Sequence, residues 1–540
     1  MEVAGPNGTV SDGGMEAGGS RGWEEEMLTY NTDETLQWFA VGGVAVIALV
    51  HLVYTGYLPR VVRKFFPESA IVLLVGVAAG AIIRYGTTLN FAGFDEKVFF
   101  HILLPPIILY AGYSLEEHHG HVFFSNIRSI CTFAVLGTLI STVIVSLLAW
   151  ATVVGGVVDL TFTECWIFGA LISAIDPVST LAIFESSHVE DDLFNLLFGE
   201  SVLNDAVAIV LFRAANSFAD PSYPPTATNI GKEVGMFFAV SFGSVGIGLG
   251  VGMLMTISLK YFRMPRDGLS TVIFFICGYF AYQAAEVSHL SGIISILLYG
   301  IFTGHYAKRN MSHTDALVSS KVSQILGWVM EELIFIDLGT TVLTDTIHDF
   351  NIGFIATSCC ACILGRAANT FPISAGLNVL RKRKIPCKTQ AVMFFSGLRG
   401  AIAYGLSLKV ETPNAELIQT TTLAIVIFTT IVIGGATLPL LEFMGIISPD
   451  KGDDDIPSLA TQASQARRAV SRMWFLLLDR KYLLPFFVKK ASLPKWGLGR
   501  EGTGSDGGEE ALDKSDPALD QSTWSRNSSP ASLDTAEPKR

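Results

Sequence analysis

The sequence predicts an all-α polytopic membrane protein of about thirteen transmembrane helices, arranged as an inverted repeat with one broken helix in each half. Three observations carry this. Half of the 540 residues are hydrophobic and 16% are charged, too apolar for an ordinary water-soluble domain. Apolar stretches of about 17–25 residues recur from Leu36 to near Ile447, each long enough as a helix to cross roughly 30 Å of hydrocarbon. The fifth and twelfth stretches carry helix breakers at mid-span, so a repeat relating spans one to six with spans eight to thirteen superposes the breaks in opposite orientation.

The first stretch, 36–58, is too long for a signal-peptide core and follows Glu24, Glu25, Glu26, Asp33 and Glu34 rather than a basic region, so it reads as a retained span. Spans at 68–84, 97–115 and 128–154 follow, then a fifth at 162–184 that contains Pro177. The sixth, 193–218, carries Glu200, Asn204 and Asp205. Further spans lie at 232–260, 269–286, 289–307, 318–344 and 352–379. The twelfth, 387–409, holds Arg399 between Gly397 and Gly400, and the last is 417–446.

Lysine and arginine concentrate in alternate loops: Arg60, Arg63 and Lys64; Arg128; Lys260, Arg263 and Arg266; Lys308, Arg309 and Lys321; Arg381 to Lys384 with Lys388. The positive-inside rule then places the N-terminus lumenal or extracellular and the C-terminal tail in the cytosol. Residues 1–35 read as a disordered N-terminus, 36–447 as the membrane domain, 448–492 as a membrane-proximal amphipathic segment and 493–540 as a disordered tail. Between Gln465 and Lys490 basic residues mix with Trp474, Tyr482 and Phe486, which suits a helix at the membrane surface or a segment packed on a partner chain. The seven cysteines show no CxxC spacing, read as apolar packing residues, and imply no cofactor.

Chemistry is written in three anomalies. FGESVLNDAVAIVLF (198–212) sets two carboxylates in an otherwise apolar run, with Asp205 one turn from Ser201 and Glu200 one turn from Asn204. A carboxylate held in hydrocarbon costs several kcal/mol unless it faces water, an ion or a cation. In SAIDPVSTLAIF (173–184), Pro177 removes a backbone donor and disfavours helix at Asp176, which leaves half-helix ends at mid-membrane. In GLRGAIAYGLSL (397–408), the two glycines permit a break and Arg399 supplies a cation. Together the three read as an ion pathway.

Each anomaly alone has an ordinary structural explanation: a hydrogen-bonding Asp, a packing kink, a snorkelling Arg. Glu332 and Arg366 read either as a structural ion pair or as lining of the path. His118, His119 and His121 read as solvated loop residues, and Glu286 and His289 as an exposed turn. An intramembrane aspartyl protease lacks its GxGD segment here, and neither HExxH nor GxSxG is present. A pore-type channel is a further alternative.

These motifs, with LLPPIILYAGYSL (103–115) and HLSGIISILLYGIFTGHY (289–306), resemble the eukaryotic sodium/proton exchangers of the monovalent cation:proton antiporter group. GRAANTFPIS (365–374) and DRKYLLPFF (479–487) are closer to the organellar branch. The resemblance implies the antiporter fold with two crossing broken helices and a homodimer, each protomer split into a dimerisation domain and a six-helix core that moves as an elevator. It implies that Asp205 binds Na+, K+ or H+, that Asp176 and the broken-helix backbone assist, that Ser201 contributes an oxygen, and that Glu200 pairs with Arg399. Asn204 stands where electrogenic relatives have a second Asp, which favours one-for-one exchange. Tyr110 stands where members usually carry an acid.

The expectation is therefore an electroneutral Na+ or K+ for H+ antiporter, not an enzyme, that regulates pH and cation content in the Golgi or endosomal membrane, with the plasma membrane as alternative. A K+-selective exchanger remains open, because oxygen ligands do not fix the alkali ion by type. Membrane lipids and cytosolic regulatory proteins on the tail are the other expected partners, and nucleic acid is not one.

Overall fold

The computed structural model describes residues 42–86, 94–176, 191–220, 222–262, 268–344, 350–381, 384–446 and 479–489, within a unit that ends at Leu493. Among these residues all regular structure is helical. In chain order the helices are α1 (Gly42–Gly56), α2 (Glu68–Gly86), α3 (Glu96–Leu115), α4 (Asn126–Val154), α5 (Phe162–Ile172), α6 (Asp191–Ser217) and α7 (Ala227–Tyr261). There follow α8 (Leu269–Val287), α9 (Gly292–Phe302), α10 (His313–Thr344), α11 (Ile352–Leu380), α12 (Cys387–Phe395), α13 (Ala401–Leu408) and α14 (Ala415–Phe443).

Eight helices are long and apolar enough to cross a membrane, among the described residues: α2, α3, α4, α6, α7, α8, α11 and α14. The other expected spans fall on helices that are short, such as α1 and α9, or rich in acids, as α10 is with Asp315, Glu331, Glu332 and Asp337. The helices establish a multi-pass membrane protein, while thirteen crossings remain the count that the sequence implies.

One expected loop is helical. Between α3 and α4 the chain continues as helix, so that Leu104–Cys131 is one element. The stretch SLEEHHGHVFFSN contains no proline and a single glycine, so nothing in it stops a helix.

Small residues let backbones approach. Cβ atoms added at Gly76 and Gly80 of α2 would lie 2.5–2.6 Å from the Ile336 and Thr340 carbonyl oxygens of α10. One at Gly112 of α3 would lie 2.6 Å from the Leu297 carbonyl of α9. Such close-packed seams replace the hydrophobic drive that a bilayer does not supply. Around them α3, α7 and α8 pack on α9, while α4 packs on α5 and α11. The opposite faces of α7 and α8, with Phe242 and Ile276, are exposed as lipid-facing surfaces are.

Local sequence fixes the ends that matter for the site. Thr161 and Glu164 form a reciprocal capping box at the start of α5, and Asn414, just before α14, donates to both Glu164 oxygens at 3.1 Å. Glu286, expected to be exposed, instead pairs with Arg213 at 3.2 Å and accepts the Gly292 N–H at 2.8 Å, which ties α6 to the α8–α9 turn.

Candidate functional site

Helix α5 stops at Ile172, and residues 174–176 run on without helical structure. On the opposite side α12 stops at Phe395, and α13 starts at Ala401. The two breaks meet: the Asp176 backbone N–H donates to the Leu398 carbonyl at 3.0 Å. Each break thus satisfies backbone groups that the other leaves open, as irregular backbone at membrane depth requires. Pro177, the expected breaker of span five, lies outside the described residues.

Arg399 secures the crossing. Its Nη1 donates to the carbonyls of Ser173 at 3.0 Å and Ala174 at 3.2 Å, the freed carbonyls at the end of α5. Its backbone N–H donates to Thr429 Oγ1 of α14 at 3.2 Å. Cationic charge at a helix C-terminus complements the helix dipole. Gly400 is required for space: an added Cβ would lie 2.3–2.6 Å from Cβ, Cγ and Oδ2 of Asp176. That carboxyl therefore rests against the N-terminal end of α13, where free backbone donors favour an anion.

Helix α6 crosses beside this knot. Ser201 Oγ donates to the Ile175 carbonyl, the residue before Asp176. One turn on, Asp205 is 3% exposed and Asn204 is fully buried. Asp205 Oδ1 and both polar atoms of the Asn204 amide have no hydrogen-bond partner. Asp176 and Asp205 lie within electrostatic reach of one another. Burying such groups unsatisfied costs about 1–3 kcal/mol each, more for a charge, so natural sequences keep them where a ligand completes the shell.

The expected Glu200–Arg399 pair does not form. Glu200 is held by Arg366 of α11, with Nη1 at 2.5 Å from Oε1 and Nη2 at 3.3 Å from Oε2, and Asn369 Nδ2 stands 3.4 Å away. Arg366 Nε also donates to the Met393 carbonyl at 2.9 Å. The reason is competition for donors: Arg399 spends its guanidinium on the freed carbonyls of α5, whereas Arg366, on the helix beside α4 and α12, presents a fork toward Glu200. Gly397 gives this fork room, since an added Cβ would lie 2.9 Å from Arg366 Cδ.

Arg366 therefore does not pair with Glu332. That glutamate is buried on α10, its Oε2 has no partner, and it lies with Glu331 in electrostatic reach of Asp176. Sequence reasoning named Glu332 and missed Glu331; the doublet itself was the available signal. It also missed Asn369, whose i, i+3 spacing from Arg366 puts both on one helix face. Among the described residues no cluster of three His, Cys, Asp or Glu side chains is arranged to hold a resident metal ion.

The chain is similar to known proteins over most of its membrane domain. The transmembrane family of sodium/hydrogen exchangers matches residues 43–443. Sodium/hydrogen exchanger 9 of Rattus norvegicus is 37% identical over 431 residues, covering 75% of this chain and 66% of that relative, just under two thirds of its length. Sodium/hydrogen exchanger 8 of Mus musculus is 36% identical over 482 residues, covering 82% of each. Among solved structures, the sodium proton antiporter MjNhaP1 from Methanocaldococcus jannaschii aligns with a TM-score of 0.58 at 15% identity, covering 77% of this chain and all of that one, which shows a shared fold. With two broken spans knotted beside a buried Asn-Asp pair and matches of this extent along its membrane domain, the chain belongs to the sodium/hydrogen exchanger family.

Proposed function

We propose that the protein exchanges Na+ or K+ for H+ across a membrane, with Asp205 as the shared seat. The observation that carries this reading is the buried Asp205 carboxyl with an oxygen left unpartnered beside an unpartnered Asn204 amide. Oxygens suit a hard alkali cation: one from Asp205, one from Asn204, the Ser201 hydroxyl and the backbone at the crossing supply a partial shell beside Asp176. A proton on Asp205 removes the charge that holds the cation, so the two ligands exclude one another.

Exchange follows when only loaded states cross. An empty, ionised Asp205 is costly to carry past hydrocarbon, whereas the protonated or cation-loaded site is neutral, so one proton trades for one cation. Asn204 keeps the stoichiometry at one, since it cannot add a second charge. The cycle is that of a transporter, needs no cofactor beyond the ions it moves, and runs in a homodimer whose broken-span helices shift as an elevator against the α3–α7–α9 scaffold. We place it in Golgi or endosomal membranes, surrounded by their lipids, with the N-terminus lumenal and the tail cytosolic and open to regulatory proteins. Dye-reported proton flux in proteoliposomes, driven by Na+, K+ or Li+ with and without a clamped membrane potential, tests the reading. Saturable flux insensitive to potential supports it; flux that scales with voltage contradicts it.

A further inference from the structure

A short segment after the membrane domain folds back onto it. Residues Asp479–Leu483 form a π-helical turn and Leu484–Phe487 a helical turn; the second seats on α7 and on the π-helical turn Thr303–Ala307 that follows α9, and Asp479 reaches that same turn. Leu484, Phe487 and Val488 are buried against Phe302 and Tyr306, with Leu249 and Ile257 of α7 beside them. Polar groups close the seat: Lys260 Nζ donates to the Pro485 and Phe486 carbonyls at 3.0 and 2.6 Å, Asn310 Nδ2 donates to the Phe487 carbonyl at 2.8 Å, and the Lys489 N–H donates to Asn310 Oδ1 at 2.9 Å. At the head of the segment Asp479 is 4% exposed; Tyr306 donates its hydroxyl to Oδ1, and His305 Nε2 stands 3.2 Å from Oδ2.

We propose that this contact is a proton-responsive dock for the protein's own C-terminal segment, with His305 as the titrating group and Asp479 as its fixed partner. It lies away from the ion site and does not depend on the transport reading. Burial raises the Asp479 carboxyl, but the hydrogen bonds from His305 and Tyr306 and the charges of His305 and Arg309 outweigh it, leaving the group below the usual carboxylate value. An aspartate ordinarily ionises at about pH 4, below the range in which imidazole titrates. A protonated His305 makes a buried ion pair with Asp479, whereas a neutral His305 makes at most a plain hydrogen bond.

The described charged groups around the pair have contacts of their own, and Arg309 also acts on Asp479 through its charge. Arg309, on the same turn, donates through Nε to the His305 carbonyl, and Lys308 reaches Ser320 Oγ and lies over the Tyr113 ring of α3. Lys260 of α7 and Lys489 hold carbonyls, Asp315 of α10 accepts the Gly268 N–H, and Lys481 lies over the Tyr482 ring. Because the partner carboxylate is fixed, the dock is strongest in acid and weakens as pH rises.

Hydrogen–deuterium exchange of the full-length protein in nanodiscs tests this, reading peptides that cover 479–489 at pH 6 and pH 8 after correction for intrinsic exchange rates. The dock predicts protection about threefold or more higher at pH 6 in the unsubstituted protein, lost in Asp479→Asn, and independent of pH in His305→Gln. Equal protection of the unsubstituted protein at the two pH values, a comparison that needs no variant to fold, overturns the proposal. So does a His305→Gln protein that keeps the full pH difference.

Discussion

Arg366 grips Glu200 through two nitrogens of one guanidinium, at 2.5 and 3.3 Å, with the glutamate 1% and the arginine 4% exposed. Removing one member of such a pair leaves a buried charge uncompensated, at a cost of about 3–5 kcal/mol. Arg366→Ala is therefore expected to lower the midpoint of thermal unfolding and the yield of folded protein. Arg366→Lys keeps the charge but not the fork and should fall between. Unfolding monitored by fluorescence in detergent checks both.

Gly400 carries the closest approach between the two broken spans. Gly400→Ala places a methyl within 2.6 Å of Asp176, which must then leave the end of α13. Proton flux in vesicles should fall by about tenfold or more, since about 1.4 kcal/mol of misplacement suffices for tenfold. Thermal stability should change far less than in Arg366→Ala.

Asn204 is buried without partners, so Asn204→Asp adds a carboxyl at the site without new steric demand. If that second group ionises during the cycle, charge moves with each turnover. Flux in Asn204→Asp vesicles is expected to acquire dependence on an imposed membrane potential, in contrast to the potential-independent flux proposed for the unsubstituted protein.

Much of this was legible in the sequence, and the limits have physical causes. Eight spans, among the described residues, could be read because hydrocarbon thickness dictates their length. The break after Phe395 could be read because Gly397 and Gly400 are local signals, while Pro177, the signal for the other, lies outside the described residues; Asp205 stood out because an acid in an apolar run demands a reason. The partner of Glu200 could not, because Arg366 and Arg399 are both buried cations and only tertiary packing decides which reaches it. Helix between α3 and α4 was misread as loop, since polar residues in a helix and in a connection share a composition. The docking of 479–489 was half legible: its aromatics announced an apolar face, but not that α7 and α9 would cover it.

If Na+ and H+ compete for Asp205 as proposed, that competition sets the pH dependence. Protons occupy the site as pH falls, so the apparent KM for Na+ should rise about tenfold per pH unit below the site's midpoint, with maximal flux unchanged at saturating cation. Initial rates of Na+ uptake over a grid of pH and Na+ concentration check it.

The central claim is that Asp205 holds both ligands in turn, and Asp205→Asn in reconstituted vesicles tests it most directly. The substitution keeps shape and removes the titrating group. Proton-coupled Na+ and K+ flux should drop to the level of empty vesicles while the protein stays folded by thermal unfolding; full exchange in a folded Asp205→Asn protein would contradict the account.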